Sequence, residues 1–176
     1  MNIKRILLMG LVIVLALAPA SAAFAYGDGG DIREVRRATS QFHRTEAAQA
    51  AGYDLVPGLD HCFENPGVGG MGFHYINVDI LDLILDPLQP EAMVYAPGPN
   101  GQLNLGAVEY IVPAAAWDGA GNTEPPTVLG HPLHLNSALG VYVLHAWIWK
   151  HNPSGMFNDW NPKVSCSTVV ASGLVE

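Results

Sequence analysis

Val141-Tyr142-Val143-Leu144-His145-Ala146-Trp147-Ile148-Trp149 is a run dense in β-branched and aromatic residues, the composition that suits a pleated, half-buried surface. It reads as the clearest strand of the chain. Alternation along a strand puts Val141, Val143, His145, Trp147 and Trp149 on one face. An imidazole therefore stands among apolar neighbours on a segment whose two faces both look buried.

Working outward, two further stretches have the same character. Met71 to Val78 places His74, Ile76 and Val78 on one side and Phe73, Tyr75 and Asn77 on the other. Leu105 to Val112 groups Leu105, Ala107, Glu109 and Ile111. Ala92 to Ala96 is a fourth candidate, separated from Leu105 by the turn signal Pro97-Gly98-Pro99-Asn100-Gly101. Tyr53 to Val56 and Val169-Val170 read as short strands, and Pro113 to Ser137 as a loop. Asp79 to Asp86 reads as a short helix or turn stopped by Pro87. Ahead of the strands, Asp31 is a natural helix N-cap with Glu34 three residues on. Ile32, Val35, Ala38 and Phe42 recur at helical spacing, and Gly52 is a natural stop. The expected fold is α+β, an N-terminal helix packed on a mainly antiparallel β-sheet or small barrel.

The ends and the charge bound the setting. Lys4 and Arg5 precede an apolar run from Ile6 to Leu17, and Ala23-Phe24-Ala25 fits a small-x-small cleavage site. Residues 1–25 read as a signal peptide and residues 26–176 as one mature domain, exported to the extracellular space or to the periplasm and envelope. The apolar run is shorter than the roughly 20 residues a bilayer demands, so no membrane span is expected after cleavage. Removing Lys4 and Arg5 leaves six of the eight basic residues against sixteen acidic ones. Such a body repels phosphate backbones, which argues against nucleic-acid partners and favours cations. Cys62 and Cys166, the two cysteines, are expected to pair in an oxidising compartment. The chain-entropy estimate for so long a loop is about 4–5 kcal/mol.

His74, Glu109 and His145 each occupy an otherwise apolar strand face. An unpaired charge there is costly, so each must be paired, neutralised or metal-bound. If the strands adjoin, the three converge, and two histidines with a carboxylate suit a divalent transition metal with open positions. The bland alternative is that the same groups merely hydrogen-bond to one another. His131 and His134 form an H-x-x-H pair in a loop that could close over the site, and His61, beside Cys62, could line the same cavity. Gly67 to Gly72 matches G-x-G-x-x-G as a string, but it opens a strand rather than a helix, so a dinucleotide site is not expected. Two functions follow. One is a metal-binding site, which in an enzyme would polarise a substrate or activate water beside a proton-moving His. The other is a non-catalytic envelope protein that binds a small-molecule ligand or partner. The identity of the metal and the oligomeric state are not readable.

Longer strings add a resemblance. Gly70-Met71-Gly72-Phe73-His74-Tyr75-Ile76-Asn77, Pro90-Glu91-Ala92-Met93-Val94-Tyr95, Val108-Glu109-Tyr110-Ile111-Val112-Pro113, the block from Leu144 to Phe157, and Trp160-Asn161-Pro162-Lys163-Val164-Ser165-Cys166 resemble motifs of a family of exported bacterial proteins without an assigned activity. The likeness runs from about Ile32 to Cys166. It implies a single domain in a bacterial exported setting and carries over no catalytic role.

Overall fold

A computed structural model describes residues 31–167; the expected leader and the Val169-Val170 strand lie outside them. Helix α1 (Ile32–Thr39) begins where the Asp31 carboxylate accepts the backbone N–H of Arg33. The continuous helix expected as far as Gly52 is broken after one stretch. A 3-10 turn (Ser40–Phe42) separates α1 from α2 (Thr45–Ala50). Ser40 and Gln41 donate their side chains to the carbonyls of Arg37 and Ala38, competing with the helical ladder. The carbonyl of Phe42 is taken by the hydroxyl of Tyr95, so a long-range bond fixes the break. Gly52, at φ +91°, does end α2.

The strands are β1 (Asp54–Leu55), β2 (Phe63–Asn65), β3 (Gly69–Ile76), β4 (Ala92–Pro97) and β5 (Leu103–Pro113). Helix α3 (Ala114–Gly119) follows, then β6 (Thr127–Val128), β7 (His131–Pro132), β8 (His134–Asn136) and β9 (Val141–Ala146). Pro113 to Ser137 is thus not plain loop: it folds into α3, a β6–β7 hairpin and the edge strand β8. The main sheet runs β1-β3-β4-β5-β9-β8, with β2 also paired to β3, and its pairings are antiparallel. Its path is open, so the α+β expectation holds as a sheet rather than a barrel. Among the described residues no helix is long and apolar enough to cross a membrane.

The sheet separates two apolar layers. One face packs Phe73, Tyr75, Met93, Tyr95, Tyr110 and Leu144 against Val35, Phe42 and Ala48 of the helical segment. The other carries Ile76, Ala92, Ile111 and Val143 at one end and Val94, Ala96, Ala107 and Trp147 at the other. Two facing assignments need correction. The register of β4 on β5 slips between Val94 and Tyr95, which face Ala107 and Leu105, leaving Gly106 as the extra residue of a bulge. Leu105 therefore turns to the helix side, away from Ala107 and Glu109. Trp149 lies beyond the end of β9 and donates its indole N–H to Thr39 of α1, so it leaves the face of His145 and Trp147.

The segment after β9 returns across the face away from the helices. Gly70 and Asn161 exchange backbone hydrogen bonds, and Cys62 and Cys166 form a disulfide spanning 104 residues, with Cα atoms 5.7 Å apart. The glycines here serve this crossing. A Cβ on Gly69 would strike the carbonyl of Asn161, and one on Gly70 would meet Val164 at 2.8 Å. The run that matched a dinucleotide string is the place where two backbones pass in contact.

Candidate metal centre

The register explains how three strands deliver one cluster. Glu109 of β5 lies directly opposite His145 of β9. On its other side, β4 places Ala92 opposite Glu109, and Val94 opposite both His74 and Ala107. These are short side chains on the central strand. His74 therefore reaches from β3 over β4 toward Glu109 and His145. Ligand atoms of His74, Glu109 and His145 all lie within 4.8 Å of one another.

The detail is tight. His74 Nε2 and His145 Nε2 are 3.1 Å apart. Glu109 places one carboxylate oxygen 3.6 Å from His74 Nε2 and the other 3.3 Å from His145 Nδ1. The three side chains are buried, with His145 at 2% exposure and the other two at 6%. Asp159 approaches from the returning segment, Oδ1 lying 3.3 Å from His145 Nδ1. Its other oxygen is 3.0 Å from Nε2 of His134, which is half exposed.

Burial and neighbouring charge set the protonation. Burial, reinforced by the adjacent His145, pushes the His74 imidazole down to about 3, so it is neutral with a lone pair available. Burial opposes charge on His145 too, but Glu109 and Asp159 outweigh it and raise that imidazole. Burial raises Glu109, against the pull of His145. Asp159 feels burial as well, yet its contacts to His145 and His134 hold it below the usual carboxylate range. The buried Nδ1 atoms of His74 and His145 and the Oδ1 of Asp159 lack a well-formed hydrogen bond.

The cluster borders a cavity of about 480 Å³ whose walls include Val56, Leu59, Ile76, Ile111, Leu139 and Val143. Asp159 and Trp160 also line it. The other sequence candidates lie elsewhere. His134 stands one step out, behind Asp159. His61 is exposed and stacks on Phe63, whose ring in turn meets the edge of His74. His131, on β7, is exposed and packs against Phe157 with ring centroids 3.9 Å apart. Asp159 was missed: it sits in a turn-rich tail with no periodicity, and long-range contacts such as the Gly70–Asn161 crossing and the Trp147 indole bond to the Asn158 carbonyl bring it over the sheet.

The two imidazoles and the carboxylate form a cluster that could hold a metal ion. Asp159 is a carboxylate behind His145, the companion that commonly fixes the tautomer of a metal-bound histidine. No family model matches the chain, and comparison with curated proteins and with solved structures finds no match.

Proposed function

We propose that this chain is an exported protein that holds a divalent transition-metal ion between His74 Nε2, His145 Nε2 and Glu109, with positions left open toward the cavity. The observation that carries this reading is the approach of two buried imidazole nitrogens to 3.1 Å beside a buried carboxylate. Two nitrogens bound at about 2.0–2.1 Å to one tetrahedral ion stand about 3.3 Å apart, close to the spacing seen. Without a cation, one imidazole must donate to the other, and two carboxylates crowd a single ring nitrogen. A divalent ion relieves both conditions at once. Two histidines and one carboxylate with free positions is a donor set suited to iron(II) or zinc, and less suited to calcium or magnesium, which prefer oxygen.

The leader-like start and the cross-linked cysteines support an oxidising, extracytoplasmic compartment, and the family resemblance supports a bacterial one. Elemental analysis of mature protein purified without a histidine tag tests the metal directly. The native protein is expected to carry close to one equivalent, and a His74→Ala/His145→Ala variant close to none. Equal metal content in the two would remove the proposal.

A further inference from the structure

The cavity beside the cluster is divided sharply by polarity. Its polar groups converge at one wall, where His74, Glu109 and His145 are each at least nine-tenths buried. Two of these carry an Nδ1 without a well-formed hydrogen bond. The remaining surroundings are mainly aliphatic or aromatic, with Asn136 and Asp159 the other polar side chains lining it. At the mouth, Val78 and Leu139 line the cavity yet remain 57% and 51% exposed. The volume, about 480 Å³, falls in the range of sites that enclose a small organic molecule. A peptide is a poor occupant, because these walls offer few partners for its amide groups.

We infer that the ligand of this site is an uncharged, mainly apolar small molecule with one oxygen or nitrogen donor, its body in the cavity and its donor at the ion. The inference rests on the metal reading above. Charge balance selects an uncharged head. Glu109 and Asp159, both within reach of His145, balance a divalent ion, so a neutral donor adds no net charge. An anionic head would leave one buried negative charge without a partner, which is costly. The apolar walls contribute affinity through the area they remove from water and discriminate little between ligands of similar shape. The donor selects the orientation.

The test uses the mature chain, cobalt(II) as the metal, and three probes of one shape: 2-methylnaphthalene, 2-naphthalenemethanol and 2-naphthoate. Fluorescence titration is expected to show 2-methylnaphthalene binding metal-free and cobalt-loaded protein alike. Cobalt loading should strengthen 2-naphthalenemethanol by about tenfold or more and shift the cobalt absorption bands, with a smaller gain for 2-naphthoate. Leu139→Arg, at a half-exposed position on the cavity wall away from the ligand atoms, should weaken all three while leaving the cobalt content unchanged. If cobalt binds but neither neutral probe does, the inference is overturned and the metal centre survives. The inference is equally lost if the alcohol gains nothing over 2-methylnaphthalene, or if 2-naphthoate gains most. Probe binding without any cobalt binding overturns the metal reading, and the coordinated donor with it.

Discussion

On the helix-covered side of the sheet, Tyr53, Tyr95 and Tyr110 bury their rings and donate their hydroxyls to the carbonyls of Pro90, Phe42 and Pro87 at 3.0, 2.6 and 2.7 Å. On the opposite side, His74, Glu109 and His145 are as deeply buried but face one another, with ring nitrogens left unmatched. The same contrast separates two buried glutamates. Glu91 accepts the backbone N–H of Ile111 at 3.0 Å, where β5 runs past the end of β4. Among the described residues, the polar neighbours of Glu109 are imidazoles and another carboxylate. Buried polar groups with complete partners stabilise a fold, and those left incomplete are where a ligand or an ion can add something. That difference, more than burial itself, marks one face as framework and the other as site.

The largest expected effect concerns Glu91. Burial pushes its carboxyl up to about 7 from an ordinary 4.5, with the Ile111 hydrogen bond opposing. The folded state therefore binds this proton more tightly than the unfolded state. Its contribution is fully present below pH 4.5 and is lost as pH rises through about 7. At 1.36 kcal/mol per pH unit the change approaches about 3 kcal/mol. Glu91→Gln keeps an acceptor for Ile111 and removes the proton. The variant is expected to match the native protein near pH 4.5 and to exceed its stability at pH 8, read from urea midpoints at both values. Parallel curves at all pH values would show that Glu91 is not strained by burial, and would weaken its contrast with Glu109.

The middle effect swaps one group on each face. Tyr95→Phe leaves the Phe42 carbonyl buried without its donor, a cost of about 1–3 kcal/mol. His74→Leu, in protein treated with chelator, removes a neutral imidazole whose Nδ1 has no well-formed hydrogen bond and places an aliphatic side chain beside Phe63 and Val94. It also takes the partner from His145 Nε2, a cost that offsets the gain from removing an incomplete buried polar group, so the net loss is expected to stay within about 1 kcal/mol, below that of Tyr95→Phe, with metal binding abolished. Chelator-treated denaturation curves of the two variants make the comparison directly. A His74→Leu loss as large as that of Tyr95→Phe would make the site face a structural network.

How far these faces could be read from sequence depends on the range of the interaction. Alternation along one strand is local, and it assigned His74, Glu109 and His145 to otherwise apolar faces. Export chemistry likewise gave the cysteine pair. The Gly106 bulge is not local, because the extra residue exists only relative to β4, so Leu105 was placed on the wrong side. Trp149 was misplaced for a related reason: the strand pattern continued in composition after the strand had ended and turned toward Thr39. In the helical segment, propensity carried through Ser40 to Arg44 because the bond that fixes the break comes from Tyr95, more than fifty residues away. The His131–His134 spacing can chelate but reads equally as surface loop histidines, and the two lie on different strands, both exposed, with divergent neighbours.

Asp159 gives the smallest and most discriminating effect. It touches His145 from behind, on the nitrogen that the proposed ion does not use, and it also contacts the half-exposed His134. In the proposed centre a carboxylate there would favour the Nδ1–H tautomer and leave Nε2 free to bind, which would make Asp159 a residue that positions His145. Asp159→Asn keeps the shape but removes the negative charge behind the ring. Zinc affinity, measured by competition against a chelating dye, is expected to fall about 10-fold to 100-fold, while chelator-treated stability changes little because the side chain lies at the edge of the cavity. Asp159→Glu should recover part of the affinity. His134→Ala, one step farther out and facing solvent, should have a still smaller effect. If instead Asp159→Asn leaves zinc affinity unchanged while lowering metal-free stability, the contact between Asp159 and His145 belongs to the framework, and the incomplete hydrogen bonding of this face has a structural cause.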